Sequence, residues 1–402
     1  MNQIRISILI ISIVIFNTQI KAQSLCDTMP FINCEMNKIL IPQDDSNLNL
    51  LIQKFQSLKT NNDESIQIVH IGDSHLQAGF LTEKIKQKLF QQFSNDTIAA
   101  PGFIFPYTIA ETNNPYFFKV DYSGNWLYCK NIDHEKTCKL GLSGITIQTK
   151  DLNASICIKM RNERYKIPTK YYFNRIKILH NTSNKFTINI NNRITENKGG
   201  YSIVDLPQLT DSICIKINQE QESKFDLYGI ILENTNTQIN YHTIGVNGAT
   251  AQSYLKCDYF SDHLNLIKPD LVILSLGTNE AYDDNFSRIE HEYIFKDLIY
   301  QIRDVSPKSA IIVISANDHL KNRQYSNDNV IFVNQNIIKS SQDLNLAFWD
   351  FYSIMGGKHS INEWYKKGLT SKDKLHFKRL GYEIQGDFFT NALINLIDSR
   401  TE

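Results

Sequence analysis

The 402-residue sequence has no charge excess of either sign. Lys+Arg and Asp+Glu both number 42, and no Lys/Arg run is dense enough to form a basic patch. That argues against nucleic acid as the main partner, because neutralising phosphates takes a cationic excess or patch. There is no CxxC pair, which argues against a zinc ribbon or a dithiol redox motif. Beyond residue 22 no stretch is apolar enough to span a bilayer. No internal repeat is present. Disorder as the global state is excluded, since hydrophobic residues make up 42% and charged residues 21%, the balance of an ordinary globular protein. The length points to two or three domains and suffices to bury a core without a metal or disulfide.

Residues 1–22 read as a secretory signal peptide. Arg5 supplies the positive start, and Ile6 to Phe16 is a run of Ile, Leu, Val, Ser and Phe. That run is shorter than the roughly 20 residues a membrane-spanning helix needs. Ala22 suits the position before a cut. The expectation is an exported protein, periplasmic or secreted, in a compartment where its seven cysteines can oxidise. Cys26–Cys34, Cys129–Cys138 and Cys157–Cys214 are candidate pairs with Cys257 left over, although spacing alone does not set connectivity. Each cysteine is equally readable as a small buried apolar residue.

Residues 23–64 form a polar N-terminal segment with a helix-like stretch at Asn47–Leu58. Ser65–Ile71 is a β-branched run ending at Gly72-Asp73-Ser74, followed by a helical pattern over Leu81–Phe93. Strand, tight turn and helix open an α/β fold. The alternation returns late in the chain. Strands are expected at Tyr241–Val246, Leu271–Leu276, Ala310–Ser315 and Ala347–Asp350. Helices are expected at Gln252–Ile267, Phe286–Val305, Asn329–Leu344 and Arg379–Leu396. Continuous apolar runs such as LVILSL and AIIVIS fit strands covered on both faces. Residues 116–235 break this rhythm with short β-rich runs at Ile145–Gln148, Ser155–Met160, Arg175–His180, Phe186–Ile190, Ile213–Ile217 and Leu227–Leu232, the spacing of a β-sandwich. The architecture expected is a three-layer αβα domain with a five-stranded parallel sheet, built from 65–115 and 236–402 and interrupted by a β-rich domain.

Four segments could carry chemistry. Gly72-Asp73-Ser74-His75 puts a serine at a strand-to-helix turn, at the carboxyl edge where open α/β sheets bind ligands. Gly245-Val246-Asn247-Gly248-Ala249-Thr250 ends a strand with glycines that allow close backbone approach. Gly277-Thr278-Asn279-Glu280 follows the LVILSL run, where an Asn amide could donate to an oxyanion. In Asp373-Lys374-Leu375-His376, i, i+3 spacing on a bend lets a carboxylate hold the neighbouring imidazole and leaves Nε2 for a serine. Taken singly, each segment is as well explained by a turn or a helix cap.

Together, in this order along one sheet edge, the four blocks resemble those of the SGNH (GDSL-type) hydrolases. The resemblance covers about 65–115 and 236–402, and implies a flavodoxin-like fold and a serine esterase. Ser74 would be the nucleophile, His376 the base and Asp373 its orienting acid. The backbone N–H groups of Ser74 and Gly248, with the Asn279 side chain, would form the oxyanion hole. The first block departs from the usual GDSL, since His75 stands where many members have an apolar residue. His75, Gln77 and Trp364 are candidates for substrate contact. No metal or organic cofactor is implied. Asp73-x-His75 with Asn279-Glu280 faintly resembles a metallophosphoesterase, but the GDxxD segment and the histidine after Asn that such enzymes need are missing. His70, inside an apolar strand, reads as a hydrogen-bonded core residue.

Export and the β-rich insertion resemble SGNH enzymes that act on acetylated polysaccharide or peptidoglycan. Tyr122, Trp126, Tyr128, Tyr165, Tyr171 and Tyr172 could stack on sugars. Phe103–Tyr107, Gly356-Gly357 and Trp364 are expected in loops near the site. The leading expectation is a carbohydrate O-acetyl esterase whose partner is an acylated carbohydrate or small ester. A general carboxylesterase or lipase and a catalytically silent glycan-binding protein are the alternatives, and an acetyltransferase would share the first half-reaction.

Overall fold

The computed structural model describes residues 26–41, 45–58, 64–94, 98–163 and 170–400. The segment 1–22 and Tyr165 lie outside the described residues. Apolar, β-branched runs form the central sheet: β1 (Ile39–Leu40), β2 (Ile66–Gly72), β3 (Ile239–Gly245), β4 (Leu271–Ser275), β5 (Ala310–Ile314) and β6 (Ala347–Trp349). Their order is β1-β6-β5-β4-β2-β3. The last five are parallel, and in chain order they lie 2-1-3-4-5, the flavodoxin-like arrangement. β4 and β5 are almost entirely buried, as strands covered by helices on both faces must be.

Two differences from the expected elements have physical causes. The two-residue β1 adds an antiparallel edge to the parallel sheet, too short to leave a periodic signal. The helix expected over Gln252–Ile267 is two helices, Ala251–Leu255 and Phe260–Ile267. At the break Asp258 accepts from Leu140 N–H and pairs with Lys136 and Lys139, and Tyr259 N–H donates to Leu140 O. The β-rich segment docks there, and its contacts replace a turn of helix.

That segment builds two packed antiparallel sheets, one of seven strands counting Gly102–Ile104 and one of five. Phe225–Glu233 lies inside the first sheet and is buried on both faces, because it also backs onto the α/β layer. Gly102–Ile104, from before the segment, pairs with it. Gly102 has φ +77° and sits where a Cβ would strike Tyr241 O, so only glycine fits between the two sheets. Phe103–Tyr107 is thus buried between the layers, and Tyr107 Oη donates to Gly245 O at 2.9 Å, which keeps the end of this stretch beside the site. Tyr201–Thr210 is a strand without a sequence signal; only Ser202 in it is buried, and it contains Pro207.

Disulfides join Cys26–Cys34, Cys129–Cys138 and Cys157–Cys214, and Cys257 is buried and free. Cys157 and Cys214 face each other on neighbouring antiparallel strands and close a separation of 57 residues. Among the described residues no helix is long and apolar enough to cross a membrane, and no cluster of three or more His, Cys, Asp or Glu could hold a metal.

Closing that loop restricts the unfolded chain, a contribution of about 2–4 kcal/mol. Urea unfolding of the oxidised protein is expected to show this loss in a Cys157→Ala/Cys214→Ala variant, with the same variant indifferent to added reductant at this position.

Candidate active site

The carboxyl ends of β2, β3 and β4 lie side by side, with Gly245 paired to Gly72 and Ser275 to Gly72. The loops that leave them meet above the sheet edge. Asp73 caps the short helix Ser74–Gln77 by accepting from His75 N–H at 2.9 Å, which lifts Ser74 to the rim. A Cβ on Gly72 would come within 2.6 Å of Ser275 O, so close strand packing at this corner depends on that glycine.

Ser74 Oγ lies 2.9 Å from His376 Nε2, and His376 Nδ1 lies 2.8 Å from Asp373 Oδ2. An ionised carboxylate only accepts, so the ring proton is on Nδ1 and Nε2 is free to accept from the serine hydroxyl. Lys374, between them, adopts φ +51°. This left-handed residue makes the bend that brings the i, i+3 pair together. Asp373 Oδ1 also accepts from Leu375 and His376 N–H, and the bend is held from behind by Leu320 N–H to Lys374 O and Asn317 Nδ2 to Leu375 O. Partial burial pushes the Asp373 carboxyl up, but the His376 ring and the two backbone N–H groups outweigh it and hold it well below the usual carboxylate range.

Gly248 is exposed and has φ +85°. Among the described residues neither its backbone N–H nor that of Ser74 has a hydrogen-bond partner. Asn279 Nδ2 donates to Ala249 O at 2.9 Å and to Asp73 Oδ2 at a long 3.3 Å, so one side chain links the three loops. Glu280 Oε1 accepts from Ala251 N–H at 2.8 Å, fixing the Gly248 loop to the β4 loop.

Three residues expected to touch substrate face inward instead. His75 is buried, and its Nδ1 is 2.9 Å from Tyr382 Oη. Burial drives its pKa well below the ordinary histidine value, so it is a neutral packing partner whose ring lies 5.3 Å from that of His376. Gln77 is 1% exposed. Its amide donates to Thr112 Oγ1 and Asn113 O and accepts from Asn247 N–H, spending its polar groups on bracing the Gly248 loop. Trp364 is fully buried, donates to Met355 O and packs 5.1 Å from Phe377. Proximity in sequence to the blocks did not mean exposure. Gly356 is a tight packing point against Phe31. Tyr171 is also buried, against Glu83 and Lys86. His70 is core, bonded to Tyr241 Oη at 2.6 Å and Ser275 Oγ at 2.7 Å. The brace through Thr112 and Asn113 carries no sequence signal.

The profile of the GDSL-like Lipase/Acylhydrolase family matches residues 211–384. That span holds Gly248, Asn279, Asp373 and His376; Ser74 precedes it. A solved structure described as a peptidoglycan O-acetylesterase in action superposes with a TM-score of 0.73 at 25% identity, covering 87% of this chain and 96% of its own. A lipase/acylhydrolase from Enterococcus faecalis (20% identity, TM-score 0.32, covering 39% of this chain and 76% of its own) and a family two carbohydrate esterase from Cellvibrio japonicus (11%, 0.30, covering 69% and 99%) align too weakly to carry argument. No curated protein matches the sequence. The fold and the matched blocks define a carboxylic ester hydrolase. Residues 211–384 match a GDSL-like lipase/acylhydrolase domain, and the chain adds a β-rich region to an SGNH-hydrolase-like α/β fold.

Burial raises Glu280 from 4.5 to about 7, against the opposing Ala251 N–H, and its Oε2 is sealed from solvent. Burial likewise raises Asp73 to about 6. An acid raised on folding stays protonated after the unfolded chain has ionised. Its contribution is therefore full below about 4.5 and is lost as pH climbs to about 7. Glu280→Gln keeps the acceptor and removes this loss. Urea unfolding at pH 8 should find the variant more stable than wild type by on the order of 1–2 kcal/mol, a gap that closes at pH 5.

Proposed function

We propose that this esterase removes O-acetyl groups from a polysaccharide, with peptidoglycan the leading substrate, through a Ser-His-Asp acyl-enzyme mechanism. The observation that carries the substrate is the likeness to a peptidoglycan O-acetylesterase, which extends over 87% of this chain and so includes the β-rich region as well as the α/β fold. The N-terminal 1–22 segment supports export to a compartment where such polymers lie. The β-rich region would serve as an inserted domain over about 116–235.

Ser74 Oγ attacks the acetyl carbonyl carbon as its proton passes to His376 Nε2 across 2.9 Å. The carbonyl π pair moves onto oxygen. Asp373, held ionised, stabilises the imidazolium and fixes its orientation. The free N–H groups of Ser74 and Gly248 receive the oxyanion. Asn279 adds a third donor by turning the hydrogen of its long contact to Asp73 toward the new charge. Collapse breaks the bond to the sugar oxygen, which leaves with the proton from His376. Water, deprotonated by the same ring, then releases acetate and restores Ser74.

The test is hydrolysis of p-nitrophenyl esters from acetyl to octanoyl, alongside acetate release from O-acetylated peptidoglycan. Acetyl is expected to be the best acyl group, with rates falling as the chain lengthens. Ser74→Ala should lose at least about 10³-fold in kcat and Asn279→Ala about 10²–10³-fold. A preference for octanoyl esters would replace the proposal with a lipase. Glycan binding without Ser74-dependent turnover of any ester would replace it with a binding protein.

A further inference from the structure

The loop closed by Cys129–Cys138 belongs to the β-rich region but is seated against the active-site edge. Ile132 is the nearest side chain to the open face of Gly248: a Cβ built on that glycine would meet Ile132 Cδ1 at 3.7 Å and nothing nearer. The seat is rigid. Asn131 N–H donates to Gly144 O, and Gly144 packs on Val246, two residues before Gly248. Lys130 N–H donates to Asp133 Oδ2 at 2.6 Å. Lys136 reaches across to Lys256 O at 2.9 Å and pairs with Asp258. On the strand leading into the loop, Tyr128 Oη donates to Glu111 Oε2 at 2.8 Å. Glu111 adjoins Thr112, which accepts from the Asn247 side chain. Two separate contacts thus bring this region to the Asn247–Gly248 loop.

The surface so placed is apolar, aromatic and open. Ile132 is 41% exposed and Tyr128 37%, and Lys130 Nζ lies 4.8 Å from the Tyr128 ring centroid. An acetyl group needs an enclosed pocket of a few atoms. A wall this exposed suits the large, solvated part of a substrate, the polymer that carries the ester. Aromatic and aliphatic faces flanked by a carboxylate and an ammonium match a pyranose, whose C–H face is apolar and whose rim is hydroxyl.

We propose that Tyr128 and Ile132 form the sugar platform on the leaving-group side of the ester, so that the β-rich region supplies part of the active site. The assignment rests on the acetylated-glycan reading above. Sugar rings lie on the platform, the acetyl carbon reaches Ser74, and the oxyanion faces Gly248. Selectivity for polymer over free acetate esters arises there.

The experiment compares Tyr128→Ala and Ile132→Ser with wild type on O-acetylated peptidoglycan and on p-nitrophenyl acetate. Ile289→Ala, at a more exposed apolar residue on the helix Arg288–Val305, serves as control. The ratio of polymer to small-ester kcat/KM is expected to fall about tenfold or more in each platform variant, mainly through KM, and to stay at the wild-type value in the control. Polymer and small-ester rates that fall in step, or do not fall, would overturn the platform while leaving the acetylesterase reading intact. Wild-type turnover of p-nitrophenyl acetate with none of the acetylated polymer would overturn both. Retained circular dichroism and melting temperature guard against misfolding, and a Ser74→Ala background lets polymer co-sedimentation report the same loss as binding.

Discussion

The Asp73 carboxylate is the point on which the active-site edge is assembled. It lies 1% exposed beneath the serine, accepts from His75 N–H and takes a long contact from the Asn279 amide. Asn279 in turn holds Ala249 O, and Glu280 holds Ala251 N–H. Three loops from three parallel strands are therefore locked to one another through a few buried polar atoms. Burying a carboxyl is costly unless its lone pairs are satisfied or it is protonated, and Asp73, raised to about 6, uses both routes. The same cost gives the arrangement its specificity. A small displacement of any one loop leaves a buried donor or acceptor unpaired, so the serine, the Gly248 backbone and Asn279 keep their mutual positions without substrate. Preorganisation of this kind is what electrostatic catalysis of acyl transfer depends on.

Much of this edge was legible in the sequence because parallel strands announce themselves. LVILSL and AIIVIS are too apolar to lie anywhere but between two helical layers, and function-bearing loops follow at their carboxyl ends. Ser74, Gly248, Asn279, Asp373 and His376 were found as residue types at those ends. Side-chain direction was not legible. His75 and Gln77 stand one and three places beyond the serine, on a four-residue helix whose other side chains face the interior. Trp364 lies on the buried side of Ser360–Lys366. Such short helices have no periodicity from which an inward face can be read. The same limit explains β1, with two residues, and Tyr201–Thr210, a strand whose burial does not alternate. The break in Gln252–Ile267 was illegible for another reason. Both halves have helical patterns, and what separates them is Asp258 engaging residues 136–140, more than a hundred positions earlier.

That contact is one anchor between the β-rich region and the α/β layer. Another is Lys86, on the helix Phe80–Phe93. Its ammonium is fully buried, 3.0 Å from Glu83 and 3.1 Å from Pro101 O, and faces the rings of Phe117, Tyr171 and Tyr241. Tyr171 comes from the β-rich region and also hydrogen-bonds Glu83. A buried ion pair adds little net stability over an apolar pair, but losing one partner strands a charge and costs several kcal/mol. The pair is therefore strongly selective for the docked arrangement: if Tyr171 withdraws, Glu83 loses a donor and Lys86 loses an aromatic face. Anchors of this type do not slide. With Asp258 fixed on one side and Lys86 on the other, the Cys129–Cys138 loop keeps its place beside Gly248.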